Sequence, residues 1–137
     1  MRIKQSNYLI AFFLIFFTGC DYIAYITDNY GVETKIDNLT LSQEKFFSIV
    51  SGESYKNIPI TSIRQIEISN EEFKTIAGKL YFLASVELAD GTLMKARKKD
   101  GTPLTFICTN NFVTGTSHNG DFSINLANVS KLRIEKK

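Results

Sequence analysis

The stretch IPITSIRQIEI, residues 58–68, has a second copy of its apolar pattern near the end of the chain, in INLANVSKLRI, residues 124–134. In both stretches the apolar residues follow one another at steps of two, three, three and two. These positions are Ile58, Ile60, Ile63, Ile66 and Ile68 in the first stretch and Ile124, Leu126, Val129, Leu132 and Ile134 in the second. A step of two is typical of a strand with one buried face. The step of three indicates that a strand ends, a short turn follows and a new strand begins.

The repeated pattern predicts two related β-units. A similar strand and turn signal stands upstream of each copy, KIDNLTL before the first and VELADGTLM before the second. We expect an all-β domain, a small antiparallel sandwich or barrel whose halves, residues 32–68 and 80–137, cover each other's apolar faces. Coincidence in an Ile-rich chain is the alternative. The block GDFSINLANVSKLRI also resembles a small β-module of bacterial envelope and signalling proteins. No activity is attached to that module, so the resemblance supports only the fold class.

Turn signals divide the second half into strands. Asp90-Gly91, Asp100-Gly101 and Asn119-Gly120 are dipeptides that favour tight hairpins. The runs between them, LYFLASVEL, TLMKAR, LTFICTNNFV and DFSINL, predict four strands in meander order. Between the two units, SNEEFKTIAGKL, residues 69–80, carries a capping-box signature followed by apolar residues at helical spacing. This predicts one short helix there, with extension of the following strand as the alternative.

The first twenty residues have the layout of a signal peptide. Arg2 and Lys4 form a positive head, and YLIAFFLIFF, residues 8–17, is apolar without a break. As a helix, this run covers about half of a ~30 Å hydrocarbon core, which disfavours a stable membrane span. An uncleaved signal anchor and an ordinary secreted protein are the alternatives.

The sequence FTGC, residues 17–20, resembles the lipobox of bacterial lipoproteins, with Phe17 where Leu is usual. The resemblance implies that residues 1–19 are removed and that Cys20 carries lipid on its sulfur and an acyl group on its new amino group. Two or three chains anchor a protein firmly in a bilayer. We therefore expect residues 20–31 to form the lipidated cysteine and a tether, and residues 32–137 to form the β-rich domain. Docking of the tether on the domain as a first strand is the alternative.

The resemblance also predicts an address in the cell envelope. In enteric bacteria, an Asp directly after the lipidated cysteine resembles the signal for retention in the inner membrane, and Asp21 holds that position. The inner membrane, facing the periplasm, is therefore favoured and the outer membrane is the alternative. Asp21 as a plain solvated residue is equally consistent with the sequence.

Charge and cysteine content exclude several classes. The chain has 16 Lys and Arg against 14 Asp and Glu, and two of the 16 are Arg2 and Lys4, so the remainder is formally neutral. Global charge therefore gives no support to nucleic-acid binding. If Cys20 is lipidated, Cys108 has no partner for an intramolecular disulfide. The alternation in LTFIC predicts that Cys108 is buried and inert.

No catalytic constellation is visible, and we predict no catalytic residue, metal site or cofactor. His118, the chain's one histidine, lies in a predicted hairpin tip, where an imidazole is poorly oriented for catalysis. No group of residues has the ligand spacing of a zinc or calcium site. The charge cluster Lys95, Arg97, Lys98 and Lys99 is a candidate contact for anionic lipid or polymer, against a solvated hairpin that discourages strand pairing.

These observations favour a membrane-anchored lipoprotein with a non-catalytic binding or structural role in the envelope. Its expected partners are the membrane, through the lipid, and an envelope protein or cell-wall polymer. The alternatives are a hydrolase that uses two carboxylates facing one another across a cleft and a module that binds anionic membrane surfaces.

Overall fold

The fold is built from strands in a computed structural model that describes residues 22–42 and 45–137. These residues contain eleven strands, two short 3-10 turns and no α-helix. The strands are β1 Tyr22–Asp28, β2 Glu33–Leu41, β3 Phe46–Ser51, β4 Ser54–Pro59, β5 Ile63–Ile76, β6 Lys79–Leu88, β7 Leu93–Met94, β8 Thr105–Cys108, β9 Phe112–Ser117, β10 Gly120–Asn125 and β11 Val129–Lys136. The first 3-10 turn, Ile60–Ser62, joins β4 to β5, and the second, Leu126–Asn128, joins β10 to β11.

All the strands belong to one antiparallel sheet. Its order is β10-β9-β2-β1-β11-β5-β6-β8-β3-β4, and β7 pairs with β6 beside this path. The order does not close on itself, so β4 and β10 are edge strands. The predicted all-β antiparallel class is therefore confirmed.

The sheet has an internal two-fold pattern centred on β5 and β11. Ile66 lies opposite Leu132, flanked by the pairs Gln65 with Arg133 and Glu67 with Lys131. Ile66 and Leu132 hold the same place in the two apolar patterns, so the repeated stretches pair with each other at this matching position. Outward from this pair the order meets matching strands on both sides: β1 matches β6, β2 matches β8, β9 matches β3 and β10 matches β4. We call β1–β5 the first unit and β6–β11 the second unit.

Backbone hydrogen bonds follow the same pattern. In the β1–β2 turn, Gly31 N–H donates to the Asp28 carbonyl, and in the β6–β7 turn Gly91 N–H donates to the Leu88 carbonyl. Both glycines have positive φ, 85° and 93°, the conformation that such hairpin loops require. Each turn is also fixed to the 3-10 turn of the other unit, because Asn29 N–H donates to Asn128 and Ala89 N–H donates to Ser62.

The two units exchange their hairpins. The β3–β4 hairpin of the first unit pairs with β8 of the second, and the β9–β10 hairpin of the second unit pairs with β2 of the first. Strands from both ends of the order contribute to one hydrophobic cluster, which means that the sheet curls around its own inner face. This main core includes Ile26, Ile36, Phe47, Ile49, Ile66, Val86, Ile107, Val113, Leu126 and Leu132.

A smaller cluster, the minor core, lies on the other face of β3, β6 and β8. It consists of Val50, Tyr81, Leu83, Phe106 and Cys108. Because β8 therefore has apolar neighbours on both faces, all four of its residues are buried. Burial of the Cys108 thiol agrees with the alternation in LTFIC.

The predicted short helix over residues 69–80 is wrong. Residues up to Ile76 continue β5, and Lys79 begins β6. The two residues between them, Ala77 and Gly78, have φ of 52° and 80°, as a type I′ hairpin turn requires. Pairing with the strongly β-forming run of β6 overrides the helical spacing. Three residues, 70–72, bulge out of the ladder between Ser69 and Phe73.

Two further expectations are corrected. The domain begins at Tyr22 rather than at residue 32, because β1 lies inside the sheet, between β2 and β11. Residues 22–31 are therefore a strand and its turn, which agrees with the alternative to a tether, that this segment docks on the domain as a first strand. The second half is also not a simple meander. β8 pairs with β6 and β3, and β9 pairs with β2 and β10, because the units exchange hairpins.

Candidate functional site

The predicted lipidation residue Cys20 and the predicted sorting residue Asp21 lie outside the described residues. The described chain starts with Tyr22, the first residue of β1, which lies opposite Lys136 of β11. Tyr22 is partly buried and packs against the main core. The sequence that resembles a lipobox is thus followed at once by the folded domain.

An apolar groove opens beside Tyr22, and we call it the Tyr22 groove. Its volume is about 510 Å³, within the range of small-molecule sites. It is lined by Tyr22, Leu39, Thr40, Leu41, Lys45, Pro59, Ile60 and Thr61. Leu39 and Ile60 pack against the main core with their inner sides. Lys45 is exposed and supplies the one charged side chain of this lining.

A second cleft occupies the matching place in the second unit, and we call it the amide cleft. Its volume is about 630 Å³, and it is lined by Lys79, Leu80, Thr109, Asn110, Asn111, Phe112, Asn125 and Ala127. Its amides hold the local backbone. Asn110 Oδ1 accepts a hydrogen bond from Leu80 N–H at 3.0 Å, and Asn125 Oδ1 accepts one from Ala127 N–H at 2.9 Å. These bonds account for the asparagines as turn and cap residues.

The correspondence between the two sites follows from strand register. Residues 59–61 after β4 hold the place of residues 125–127 after β10. In the first unit Ile26 lies opposite Leu132, and in the second Val86 lies opposite Ile66, so Ile26 corresponds to Val86. Counting back along the two strands, Tyr22 corresponds to Phe82. Continued in the sequence alone, the same count aligns Cys20 with Leu80.

The predicted basic cluster lies on a hairpin that leaves the sheet between β7 and β8. Lys95, Lys98 and Lys99 are exposed. Arg97 pairs with Glu72 in the β5 bulge and donates to the Gly101 carbonyl at 3.0 Å. Glu72 belongs to β5, and β6 lies between β5 and β8, so the Arg97–Glu72 contact reaches across β6. The neighbouring Ala96 packs against the minor core. The structure therefore gives this hairpin a packing role and brings it to neither the groove nor the cleft.

Two aspartates in neighbouring turns have lowered pKa values. Asp90 Oδ1 accepts a hydrogen bond from Thr92 N–H, and Asp100 Oδ1 accepts one from Thr102 N–H, each at 2.9 Å. The backbone N–H of Thr92, followed by its hydroxyl, lowers the pKa of Asp90, and the hydroxyl of Thr102, followed by its N–H, lowers that of Asp100. Both carboxylates are fully exposed, so these shifts mark turn geometry rather than a reactive site.

Nothing in the described residues groups the side chains that hydrolytic or metal chemistry needs. His118 is exposed in the β9–β10 turn. Over residues 22–42 and 45–137, no three His, Cys, Asp or Glu residues are placed to hold a metal ion. Five cavities lined by these residues each have at most one carboxylate in their lining. The two facing acids of the hydrolase alternative have no counterpart there.

No family model and no curated protein sequence matches this chain. Among solved structures, the chain is similar to the crystal structure of protein VPA1032 from Vibrio parahaemolyticus, with a TM-score of 0.49 and 9% sequence identity. The alignment covers 98% of this chain and 57% of that chain, so the present chain spans less than two thirds of its length. This likeness assigns neither a family nor a function. In the part of the chain described by the structure, no helix has the length and apolar content that crossing a membrane requires.

Sequence reasoning missed both the groove and the cleft. Each is formed where a strand end, a 3-10 turn and a connection between hairpins meet, and these segments are far apart in sequence. One signal was present in the repeat itself. Ile60 of the first stretch and Leu126 of the second are both apolar, whereas the residue before them is Pro59 in the first stretch and Asn125 in the second. That difference separates an apolar lining from an amide lining.

Proposed function

We propose that the protein is a lipid-anchored component of the bacterial cell envelope whose β-domain binds a protein or cell-wall polymer and catalyses no reaction. The observation that carries the proposal is FTGC, residues 17–20, after a positively charged head and an unbroken apolar run. Small residues before a cysteine at the end of such a run are the feature that a lipoprotein signal peptidase requires. Asp21 then acts as the signal for retention in the inner membrane, with the domain facing the periplasm.

The position of β1 supports close apposition of the domain and the bilayer. Cys20 lies two residues before Tyr22, and two extended residues span at most about 7 Å. Since β1 is held on both sides by β2 and β11, no flexible segment separates Tyr22 from the sheet. A lipidated Cys20 would thus hold the Tyr22 edge of the domain against the headgroups.

The carboxylates and the thiol of the described residues support the non-catalytic part of this proposal. Their perturbed carboxylates, Asp90 and Asp100, are exposed turn residues, whereas catalytic groups are usually perturbed inside a cleft. The thiol of Cys108 is buried in the minor core, away from the open, basic surroundings that activate cysteine. A surface that binds a partner needs none of these groups.

Replacement of the anchor residue tests the proposal. We expect Cys20→Ser to accumulate as an unprocessed precursor and to lose all labelling by an alkyne fatty-acid analogue in growing cells. The physical reason is that serine has no thiol to which the diacylglyceryl group can be joined as a thioether, and the signal peptidase requires that modification. Processing is measured by the mass shift on gels and labelling by fluorescence after coupling to the alkyne.

Cys108→Ser is the matched control, because it removes the other thiol of the chain and leaves the signal sequence intact. This variant should be processed and labelled like the natural protein. Labelling that survives Cys20→Ser, or an intact mass of the natural protein without lipid at Cys20, would show that the proposal is wrong.

A further inference from the structure

We propose that the Tyr22 groove holds one acyl chain of the lipid attached to Cys20 of the same molecule. The inference rests on the proposed lipidation and adds to it a defined place for one of the chains. The Tyr22 groove is open and apolar, and it lies beside the first residue of β1.

The lining has the chemistry of an acyl-chain site. Leu39, Leu41, Pro59 and Ile60 present hydrocarbon to the groove, and the ring of Tyr22 forms part of its wall. Leu41 is 9% exposed, and Leu39 and Ile60 are partly buried, so the inner wall is fixed by the main core. The volume of about 510 Å³ suits a small ligand. Covering this wall with methylene groups removes apolar surface from water.

The two-fold pattern of the sheet indicates which group would occupy the Tyr22 groove. In the amide cleft, Leu80 forms part of the lining and packs against the main core. Leu80 is the second residue of β6, where it lies opposite Thr75 of β5. By count along the sequence, Cys20 is its counterpart, two residues before Tyr22. The side chain that corresponds to an apolar leucine is therefore the one that carries the lipid.

Occupation of the groove is compatible with anchoring. A lipidated cysteine carries chains on its sulfur and on its amino group, and two chains suffice for stable attachment to a bilayer. One chain in the groove leaves the others in the membrane. Because the chain and the groove belong to one molecule, they meet at a high effective concentration. The docked chain would also fix the orientation of the domain, with the Tyr22 edge toward the bilayer.

Photo-crosslinking from the lipid tests this inference in the full chain. Cells grown with a diazirine fatty acid incorporate it at the lipid of Cys20, and membranes are irradiated before purification. Intact mass first establishes whether Cys20 carries lipid. We expect crosslinked peptides that contain residues 39–41 and 59–61, and none from the matching segments 109–111 and 125–127 of the amide cleft.

Matched variants give the control. Thr61 and Ala127 hold corresponding places in the two sites, so Thr61→Trp should abolish the crosslinks by filling the groove, whereas Ala127→Trp should leave them unchanged. Ile60→Glu, which places a carboxylate in the apolar wall, should abolish them as well. Circular dichroism establishes that each variant is folded.

The outcomes separate this inference from the proposed function. A natural protein without lipid at Cys20 removes both. Lipid at Cys20 with crosslinks only to bilayer lipids, or with crosslinks spread equally over the groove and the amide cleft, overturns the docking and leaves the lipoprotein assignment standing. Crosslinks that persist in Thr61→Trp and in Ile60→Glu also overturn it.

Discussion

Gly115 in β9 faces a bulge in β2 and shows why one residue type is required there. The register between β2 and β9 shifts between Asp37 and Thr40, and Asn38 within the bulge has a φ of 58°. Asparagine tolerates this left-handed conformation better than most residues. A Cβ on Gly115 would lie 2.6 Å from the carbonyl oxygen of Asp37. The bulge therefore brings two backbones together, and the sequence alone gave no sign of the contact.

Replacement of Gly115 by alanine should destabilise the domain. Because the nearest atom is a backbone oxygen held in the sheet, the clash is relieved only by shifting β2 or β9, at a cost of about 1–3 kcal/mol. The free energy of unfolding in urea measures this loss. Thr116→Ala, at an exposed neighbour on the same strand, is the control. Equal stability of Gly115→Ala and the natural protein would contradict the close approach.

The turn carboxylates give a residue-level prediction about pH. Asp90 and Asp100 have folded-state pKa values below 3.8, held there by the hydrogen bonds of Thr92 and Thr102. A lowered carboxyl pKa contributes stability that is present above the unfolded value and is lost as pH falls through the folded value. Carboxyl NMR titration should show both groups titrating below 3.8, and Thr92→Val and Thr102→Val should raise the respective pKa. Titration at 3.8 or above in the natural protein would refute the turn assignment.

At the level of the element, the β5–β6 hairpin shows where pattern reading fails. Ser69, Glu72 and the apolar residues after them have helical spacing, yet Phe73 is 62% exposed at the end of β5. The bulge precedes Phe73, and the apolar spacing from Phe73 to Leu80 arises because it runs across the two-residue turn at Ala77 and Gly78. Gly78 carried part of the missing information, since glycine supplies the positive φ of two-residue hairpin loops, whereas alanine at the first loop position gave no such signal. Pairing with β6, the next strand along the chain, decides the outcome.

Ala77 gives an element-level test, because the helix and the hairpin predict opposite effects for Ala77→Asn. In the left-handed conformation seen here, alanine is strained by about 1–2 kcal/mol, and asparagine relieves part of this strain. The variant should therefore gain stability, whereas in a helix it would lose up to about 0.7 kcal/mol. Urea unfolding measures the change. Ala89→Asn, at an exposed alanine of another turn, should have little effect, and a loss of stability in Ala77→Asn would contradict the type I′ turn.

At the level of the whole molecule, the sequence predicted the class of the fold but not its topology. Apolar periodicity and turn dipeptides located β6, β10 and the two repeated stretches, because those signals are local, but the run LTFICTNNFV, predicted as one strand, contains β8 and the start of β9. The start of the domain at Tyr22, the exchange of hairpins and both cavities depend on contacts between distant segments. For the candidate site, the sequence supplied Cys20 and Asp21, while the groove beside Tyr22 came only from the structure. Local apolar patterns indicate which residues of a strand are buried, whereas the neighbours with which a strand pairs depend on the complete sheet.

Removal of β1 tests this topology. A fragment of residues 32–137 lacks the strand between β2 and β11 and loses the buried side chains of Ala24 and Ile26. We expect it to lack a cooperative unfolding transition, whereas residues 22–137 should unfold cooperatively. Thermal unfolding followed by circular dichroism measures both. A fragment 32–137 with the same transition as the longer one would show that the domain does not need β1.

The pairing of Tyr22 with Lys136 sets the timing of folding. β1 finds one of its two neighbours only in β11, so the sheet cannot be completed until residue 136 has been synthesised. Contacts of such long sequence separation slow folding. In the export that we propose for this chain, through a narrow channel as an extended polypeptide, this delay would keep the chain in a form that the channel accepts.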